Sequence, residues 1–342
     1  MRKLKPILLM LLLLNISSAA FAAGSDYLIF GLNASKDLAE KIVSDLKMPL
    51  AKAEVGQFND GEISIKIKDN VRNKQVFVIQ SMSRQPNASI NDSIMELYLF
   101  ARALKRASAA NITAIIPYYG YARQDRKTSP RVPISAAEMA RLLENSGIDR
   151  VVAIDLHAGQ IQGFFQNIPV DNLYGSYMMA KYFAKKALHN PVVVSPDAGG
   201  VVRAKKFREL LAKNGTSAGF AMVIKTRSAP GVVESATVIG DIKDRDVIIV
   251  DDICDTGGTL VKSAQELKNL GAKNIYASIT HPVFSKDAVD KIQNSVFKEV
   301  LVTDSIEMRT KSTKIHQISV APLLSEVIQR IHRGDSISEV FR

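Results

Sequence analysis

Short apolar runs alternate with amphipathic segments along this chain from Asp26 onward. Runs rich in valine and isoleucine predict strands covered on both faces, and apolar residues spaced by three and four positions predict helices packed on one side. The predicted strands cover residues 27–30, 75–80, 112–117, 151–155, 192–195, 220–225, 246–251 and 274–280. The predicted helices cover residues 35–46, with Ser35 as the cap, 89–108, 134–145, 200–213 and 258–270. This alternation predicts an α/β fold of mostly parallel sheets flanked by helices.

Two segments repeat the same order of strand, aspartate, loop and helix. They are VVAIDLHAGQIQGFF at residues 151–165 and VIIVDDICDTGGTL at residues 247–260. Their separation is far longer than the repeat of a solenoid, so two similar domains are the simplest explanation. We expect an N-terminal domain over residues 24–173 and a C-terminal domain over residues 174–342.

Composition narrows the class of ligand. A chain of 342 residues with 46% hydrophobic and 23% charged residues suits two globular domains. The net charge of +11 would attract nucleic acid or a polyanionic small molecule. The absence of Trp and the 6% aromatic content argue against a stacking platform for single strands, and no recognition motif accompanies the charge. We therefore favour nucleotides and expect no nucleic-acid partner. The single cysteine, Cys254, allows no internal disulfide.

The first 22 residues differ from the rest of the chain. A basic start with Arg2, Lys3 and Lys5 precedes an apolar run at residues 7–14, and Ala20-Phe21-Ala22 supplies the small residues of a cleavage site. The run is too short to span a bilayer. This segment resembles a bacterial secretory signal peptide, which predicts export to the periplasm and no membrane span after cleavage.

The most informative motif follows the strand at residues 246–251. That strand ends in Asp251 and Asp252, and the glycine-rich sequence DTGGT then opens a helical pattern. Backbone N–H groups at such a helix start converge on an anion, and the helix dipole adds to the attraction. Two carboxylates beside this loop suit the vicinal hydroxyls of a sugar, so we predict a ribose 5-phosphate site. The loop residues are Asp255, Thr256, Gly257, Gly258 and Thr259.

Two alternatives to this site are weaker. A turn without a ligand would leave two carboxylates at the end of a buried strand, which is costly unless a cation or a donor-rich ligand faces them. A Walker A loop is excluded because no Gly-Lys-Ser/Thr sequence follows the glycines.

Other predicted strand ends also carry polar groups, at the edge where α/β sheets bind ligands. The segment PYYGYARQDRK at residues 117–127 suits either a surface for a base and phosphates or a solvated charged loop. Strand alternation predicts that Asp155 and His157 lie on the same side, where they could hold a divalent cation or His157 could contact a phosphate. Asp197 precedes glycines and a helix, and single oxygen ligands of this kind are typical of Mg²⁺.

Two loops are ambiguous from the residues alone. Lys225 and Arg227 precede a segment at residues 228–232 that is either a lid over a transferring phosphoryl group or an exposed hairpin. Asp60-Gly61-Glu62 follows an asparagine and is a turn signal.

Together these segments resemble the ribose-phosphate diphosphokinase family, also called phosphoribosyl pyrophosphate synthetases. The resemblance covers residues 28–341 and implies two phosphoribosyltransferase-type domains. It implies ATP and ribose 5-phosphate as substrates, Mg²⁺ as cofactor, a homo-oligomer, commonly a hexamer, and cytoplasmic chemistry, which conflicts with the leader. It rests on INDSIMELYLFARALKRASA, PYYGYARQDRK, IDLHAGQIQGFF, VVVSPDAGGVVRA, VIIVDDICDTGGT and SISEVF, in that order.

The resemblance also implies roles for individual residues. Arg123 and Gln124 would bind ATP, and the turn residues Asp60, Gly61 and Glu62 would contact the adenine of ATP bound at a neighbouring subunit. Asp251 and the DTGGT loop would hold ribose 5-phosphate.

For the reaction itself, the resemblance implies that Lys225 is the catalytic lysine and Arg227 its partner. His157 and Asp197 would serve the metal–ATP complex, with Asp155 nearby. The diphosphate of ATP would pass to the anomeric hydroxyl of ribose 5-phosphate.

The chain departs from the family pattern at the lysine and its lid. Ile224-Lys225-Thr226-Arg227 stands where the family usually has Asp-Lys-Arg-Arg, so one cation is missing, and the following lid is atypical. Gln166-Asn167 replaces an acidic residue, so allosteric control is expected to differ. The altered lid keeps a non-catalytic regulatory homologue, which binds nucleotide and ribose 5-phosphate, as the alternative to an active enzyme.

Overall fold

The computed structural model describes residues 27–229 and 232–341, without the side chains of residues 225–236 and 341. The predicted leader over residues 1–22 lies outside this part of the chain. Within it, no helix is both long and apolar enough to cross a membrane. The α/β class is confirmed, because two mostly parallel sheets are each covered by helices.

Five parallel strands form the first sheet, in the order β1-β4-β5-β6-β7. A separate antiparallel pair, β2 and β3, forms a hairpin beside it. The bounds are β1 (Tyr27–Gly31), β2 (Ala53–Gln57), β3 (Ile63–Ile67), β4 (Gln75–Ile79), β5 (Asn111–Ile116), β6 (Arg150–Ile154) and β7 (Val170–Leu173).

Helices cover both faces of this sheet. Helices α2 and α3 pack on one face through residues such as Phe100 and Leu143, and α1 packs on the other through residues such as Ile42. A capping box begins α2, with Ser89 and Asp92 satisfying each other's backbone N–H groups. The bounds are α1 (Lys36–Asp45), α2 (Ile90–Arg106) and α3 (Ser135–Asn145).

The second sheet has seven strands in the order β10-β9-β8-β11-β12-β13-β14, all parallel except the edge strand β10. Helices α4 and α5 pack on one face, and α6 and α7 on the other. Its strands are β8 (Val192–Ser195), β9 (Gly219–Ala229), β10 (Val232–Ile239), β11 (Asp246–Cys254), β12 (Asn274–Pro282), β13 (Phe297–Thr303) and β14 (Ile315–Ile318). Its helices are α4 (Ser176–Ala184), α5 (Val201–Lys213), α6 (Gly258–Asn269) and α7 (Ala288–Gln293), and α8 (Ala321–Arg333) follows them in sequence.

Strand β11 occupies the middle of this sheet, paired in parallel with β8 and β12. Its residues Val247–Val250 are completely or almost completely buried, as their uniform apolar character predicts. Burial on both faces fixes the register of the strand, and the strand therefore delivers Asp251 and Asp252 to one defined edge.

Three features differ from the sequence-based expectations. Ser35 occupies the position before α1 but does not cap it, because its hydroxyl accepts a hydrogen bond from the Ser81 N–H at 2.8 Å. Strand β9 continues past Lys225 to Ala229 and pairs with β10, so the described residues of the expected lid, 228, 229 and 232, lie in two antiparallel strands. Helix α8 packs on the first sheet beside α1, although it follows the second sheet in sequence. The division of the chain at residues 173 and 174 stays a prediction.

Candidate active site between the two sheets

Asp251 and Asp252 are bridged by one arginine. The guanidinium of Arg203, in the first turn of α5, lies 3.0 Å from Asp251 Oδ1 through Nη1 and 3.1 Å from Asp252 Oδ1 through Nη2. The fork geometry of the arginine side chain suits two acceptors at once. Two buried carboxylates are costly unless a cation faces them, and Arg203 supplies that cation.

The two carboxyl groups differ in exposure and protonation. The Asp252 side chain is 3% exposed and the Asp251 side chain is 30% exposed. Burial and the neighbouring charge of Asp252 raise the pKa of Asp251 to about 7. Burial opposes ionisation of Asp252 too, but the hydrogen bond from His157 and the charge of Arg203 outweigh it and lower its pKa. Asp251 is therefore the more accessible of the two carboxyl groups, whereas Asp252 is buried against His157 and Arg203.

His157 crosses from the first domain to this pair. Its Nδ1 lies 2.7 Å from Asp252 Oδ2, so the ring donates to the carboxylate and Nε2 faces away from it. The hydrogen bond to Asp252 raises the pKa of His157, although partial burial opposes the shift. Because the folded-state pKa is raised, the stability gained from protonated His157 is present below its unfolded value and is lost as the pH rises through the folded value.

This pairing gives a direct prediction. Asp252→Asn is expected to lower the pKa of His157, because an amide cannot stabilise the imidazolium as a carboxylate does. The shift can be followed by NMR titration of the imidazole protons in metal-free protein. Asp125→Asn is the control, since Asp125 contributes only a minor charge effect on the same ring. An unchanged His157 pKa in the Asp252 variant would contradict the assigned cause.

The DTGGT loop turns from β11 into α6. Gly257 has φ of +71°, a conformation that favours glycine, and α6 begins at Gly258. Thr256 and Thr259 flank this turn, and the first N–H groups of α6 have no partner within the helix. The loop therefore presents backbone donors and the positive end of a helix dipole, as the phosphate-site prediction requires.

Asp255, the first residue of that loop, meets the other domain. Arg123 Nη1 lies 2.7 Å from Asp255 Oδ2, and Ser285 Oγ donates to Asp255 Oδ1. Burial opposes ionisation of Asp255, but these two contacts outweigh it and lower its pKa. Gln124 lies beside Arg123 and accepts a hydrogen bond from the Ser135 hydroxyl. Of the two residues predicted to bind ATP, Arg123 thus contacts the DTGGT loop, whereas Gln124 contacts the start of α3.

The predicted metal ligands do not form one cluster. Asp155 and His157 do not share a side, because β6 ends at Ile154 and Asp155 adopts φ of +42°, which breaks the strand alternation. The Asp155 carboxylate is instead buried and accepts hydrogen bonds from Thr280 Oγ1 at 2.6 Å and Gly175 N at 3.1 Å. Asp197 is exposed and accepts from Gly200 N at 2.9 Å.

This donor set decides what kind of metal ion fits. Over residues 27–229 and 232–341, no three His, Cys, Asp or Glu side chains are grouped to hold a metal ion. Mg²⁺ is usually held by one or two protein oxygens together with substrate phosphates. The single exposed carboxylate of Asp197 fits an ion that arrives with the nucleotide, whereas the buried Asp155 does not fit as its ligand.

The remaining predicted groups belong to the two antiparallel strand pairs. Asp60, Gly61 and Glu62 form the exposed tip between β2 and β3, where Gly61 has φ of +93° and Asp60 Oδ1 accepts from Glu62 N at 3.1 Å. Lys225 and Arg227 lie on β9 next to β10, and their side chains are outside the described residues.

Sequence reasoning missed Arg203 and Ser285. The only signal for Arg203 was the need for a cation near two buried carboxylates, combined with its place in the first turn after the SPDAGG loop. Ser285 gave no signal, because it lies in the loop after β12 and reaches Asp255 only through the fold.

Comparisons with known proteins identify the family of this chain. Family models match residues 27–147, described as the N-terminal domain of ribose phosphate pyrophosphokinase, and residues 217–342, described as the phosphoribosyl synthetase-associated domain. Ribose-phosphate pyrophosphokinase of Wolinella succinogenes is 46% identical over 92% of this chain and 99% of its own, and that of Ralstonia nicotianae is 48% identical over 92% and 98%. The crystal structure of phosphoribosylpyrophosphate synthetase from Mycobacterium smegmatis has a TM-score of 0.82 and 35% identity, covering 90% of this chain and 99% of that one. The chain therefore belongs to the ribose-phosphate pyrophosphokinase family.

Proposed function

We propose that this chain transfers the diphosphate of ATP to the 1-hydroxyl of ribose 5-phosphate in a Mg²⁺-dependent reaction, giving 5-phosphoribosyl 1-diphosphate and AMP. The observation that carries the proposal is the contact between Asp255, in the DTGGT loop of one domain, and Arg123 of the other. Two substrates bound on either side of that contact would have their reacting groups side by side, which is what a transfer between them needs.

The reaction balances without a covalent intermediate. The 1-hydroxyl oxygen attacks the β-phosphorus of ATP, the bond from that phosphorus to the oxygen of the α-phosphate breaks, and AMP leaves with the electron pair while the hydroxyl proton is released. Little covalent chemistry is asked of the protein, so positioning and charge neutralisation dominate catalysis.

Each group of residues has a distinct task in this proposal. The N–H groups of the DTGGT loop bind the 5-phosphate, and Asp251 accepts hydrogen bonds from the ribose hydroxyls. Arg123 and Gln124 bind ATP, and Lys225 and Arg227 balance the charge on the transferring diphosphate. His157 and Asp197 face the metal-bound phosphates. When bound, Mg²⁺ supplies neutralisation of the phosphate charge.

We also propose that the chain acts as a homo-oligomer, and specifically as a hexamer. The hairpin tip with Asp60, Gly61 and Glu62 supports it, because that tip is exposed and therefore accessible to a neighbouring subunit. Export through the leader stays a prediction, which the N-terminal residue of the protein recovered from its source would test.

The alternative is a non-catalytic regulatory homologue that binds both ligands. It is favoured by one feature, the loss of a cation at Thr226 beside the proposed catalytic lysine. A coupled assay for AMP release, using the chain from Ala23 onward, separates the two. The proposal expects AMP release that requires both ribose 5-phosphate and Mg²⁺. Binding of both substrates without AMP release would establish the alternative.

A further inference from the structure

A buried polar cluster joins the two sheets next to the site. We call it the interdomain clasp, and its members are all less than about one-tenth exposed: Ser81, Asp155, Thr280, His281 and Ser305. Ser81 and Asp155 follow β4 and β6 of the first sheet, whereas Thr280 and His281 belong to β12 of the second sheet and Ser305 follows β13. The clasp therefore ties together the carboxyl ends of strands from both sheets.

Directional hydrogen bonds hold the clasp. Thr280 Oγ1 donates to Asp155 Oδ2 at 2.6 Å, and Ser81 Oγ donates to the Ser305 carbonyl. His281 Nε2 lies 3.0 Å from the Ile154 carbonyl and 3.3 Å from the Asp155 carbonyl. Because carbonyl oxygens only accept, Nε2 carries the ring hydrogen, and Nδ1 lies 2.9 Å from Ser305 Oγ, whose single hydrogen is also within reach of the Thr280 carbonyl at 3.1 Å. Buried polar groups are costly without such partners, so the join is specified by geometry rather than by apolar contact.

The clasp includes a residue with a strained backbone, Asp155. Asp155 has φ of +42°, a conformation that is uncommon for a residue with a side chain and that persists only where the surroundings fix it. Thr280 fixes the Asp155 side chain, His281 fixes its carbonyl, and Leu173 O accepts from its N–H at 2.8 Å. This bend decides where the next residues go, and His157 lies only two positions further on.

We propose that Thr280 and His281 are positioning residues that set the first domain against the second, so that His157 meets Asp252 and Arg123 meets Asp255. Neither residue contacts the substrates. Their effect passes through the bend at Asp155 to His157, and through the shared strand ends to the loop that carries Arg123. The inference rests on the proposed function, because a transfer reaction needs both halves of the site in register, whereas binding of one substrate needs only one half.

Thr280→Val tests the proposal, because it removes the hydroxyl donor at nearly constant size. We expect kcat for AMP formation to fall about tenfold or more, as small misplacements of reacting groups do. The Kd of a methylene-bridged ATP analogue alone and the Kd of ribose 5-phosphate alone should each stay within about twofold of wild type, since each half-site is intact. The mutual enhancement of the two affinities, measured by calorimetry with the other ligand present, should be lost.

Two further variants distinguish positioning from a general loss of stability. Thr280→Ser keeps the hydroxyl and is expected to restore both kcat and the enhancement. Thr113→Val is the matched control, because Thr113 is an equally buried threonine of β5 whose hydroxyl bonds Asn111 of its own strand. It should lower the unfolding temperature without changing kcat measured well below that temperature.

Wild-type kcat and mutual enhancement in Thr280→Val would overturn the proposal, as would equal losses of kcat in Thr280→Val and Thr113→Val. Failure of the proposed function is a separate result, because it would appear as wild-type protein that releases no AMP. In that case the calorimetric enhancement still decides whether Thr280 couples the two half-sites.

Discussion

Lys225→Ala is expected to lower the rate of AMP formation by at least about 100-fold, the loss seen when one preorganised group that stabilises transition-state charge is removed. The backbone places Lys225 on β9 three positions beyond Met222, which pairs with Ser195 at the end of β8. Lys225 therefore lies on β9 beyond the level at which the neighbouring strand β8 ends and the Asp197 loop begins. Because negative charge shifts to the leaving oxygen of AMP only as the transition state forms, kcat should fall far more than the affinity for ATP.

The comparison that isolates this effect is Lys243→Ala, an exposed lysine that follows the same hairpin. It removes the same charge from the chain and should leave the rate unchanged. Steady-state kinetics with saturating ribose 5-phosphate and Mg²⁺ measure both variants. A Lys225 variant that retains more than about one-tenth of the wild-type rate would remove Lys225 from its catalytic role, given the size expected for such a group.

Arg203→Met is expected to destabilise the fold by about 3–5 kcal/mol and to weaken ribose 5-phosphate binding, because it leaves Asp251 without a cation and Asp252 with His157 alone. The pKa of Asp251, already raised to about 7, should rise further without the cation. An acid whose folded-state pKa exceeds its unfolded value costs stability as the pH rises towards the folded value. The variant should therefore fall further behind wild type at pH 8 than at pH 6.

Urea unfolding at the two pH values measures this loss. Arg208→Met, on the same helix, is the matched control and should cost much less at both. Adding Asp251→Asn to Arg203→Met removes the carboxylate charge that has lost its cation and should recover part of the stability. An Arg203 variant as stable as its control, or a loss that shrinks at higher pH, would show that the arginine does not compensate the acidic pair.

Much of the sheet framework follows from local patterns. The uniformly apolar runs that become β4, β8 and β11 are recognisable because strands buried on both faces carry almost no polar residues. The DTGGT loop was also predictable, since a helix start with Gly257 in a left-handed conformation is chemically distinctive. These features depend on a few neighbouring residues and need no knowledge of the tertiary fold.

Features that depend on distant partners could not be predicted in the same way. The β2–β3 hairpin has a partly polar, partly buried pattern that a short window does not separate from a loop. Nothing in the amphipathic pattern of α8 states that it covers the first sheet rather than the second. Strand alternation in the sequence predicted that Asp155 and His157 lie on the same side. In the structure β6 ends before Asp155, which has a positive φ, and the two side chains contact different partners.

The bridge at Arg203 shows where physical reasoning went further than pattern. Two buried carboxylates required a compensating cation or ligand, although the sequence alone did not say which. The structure supplies it from α5, whose first turn points at the end of β11. The acidic pair is therefore compensated by a cation of the chain itself, and Asp251 is the more exposed of the two aspartates.

Identifying the products by ³¹P NMR tests the central claim most directly. Protein beginning at Ala23 would be mixed with ATP, ribose 5-phosphate and Mg²⁺, and the phosphorus signals followed with time. The account predicts equal amounts of AMP and a sugar that carries a diphosphate at its first carbon and keeps its 5-phosphate, with both products formed at least about 100-fold more slowly by Lys225→Ala. ADP with a singly phosphorylated first carbon, free phosphate from ATP hydrolysis, or unchanged substrates would contradict it.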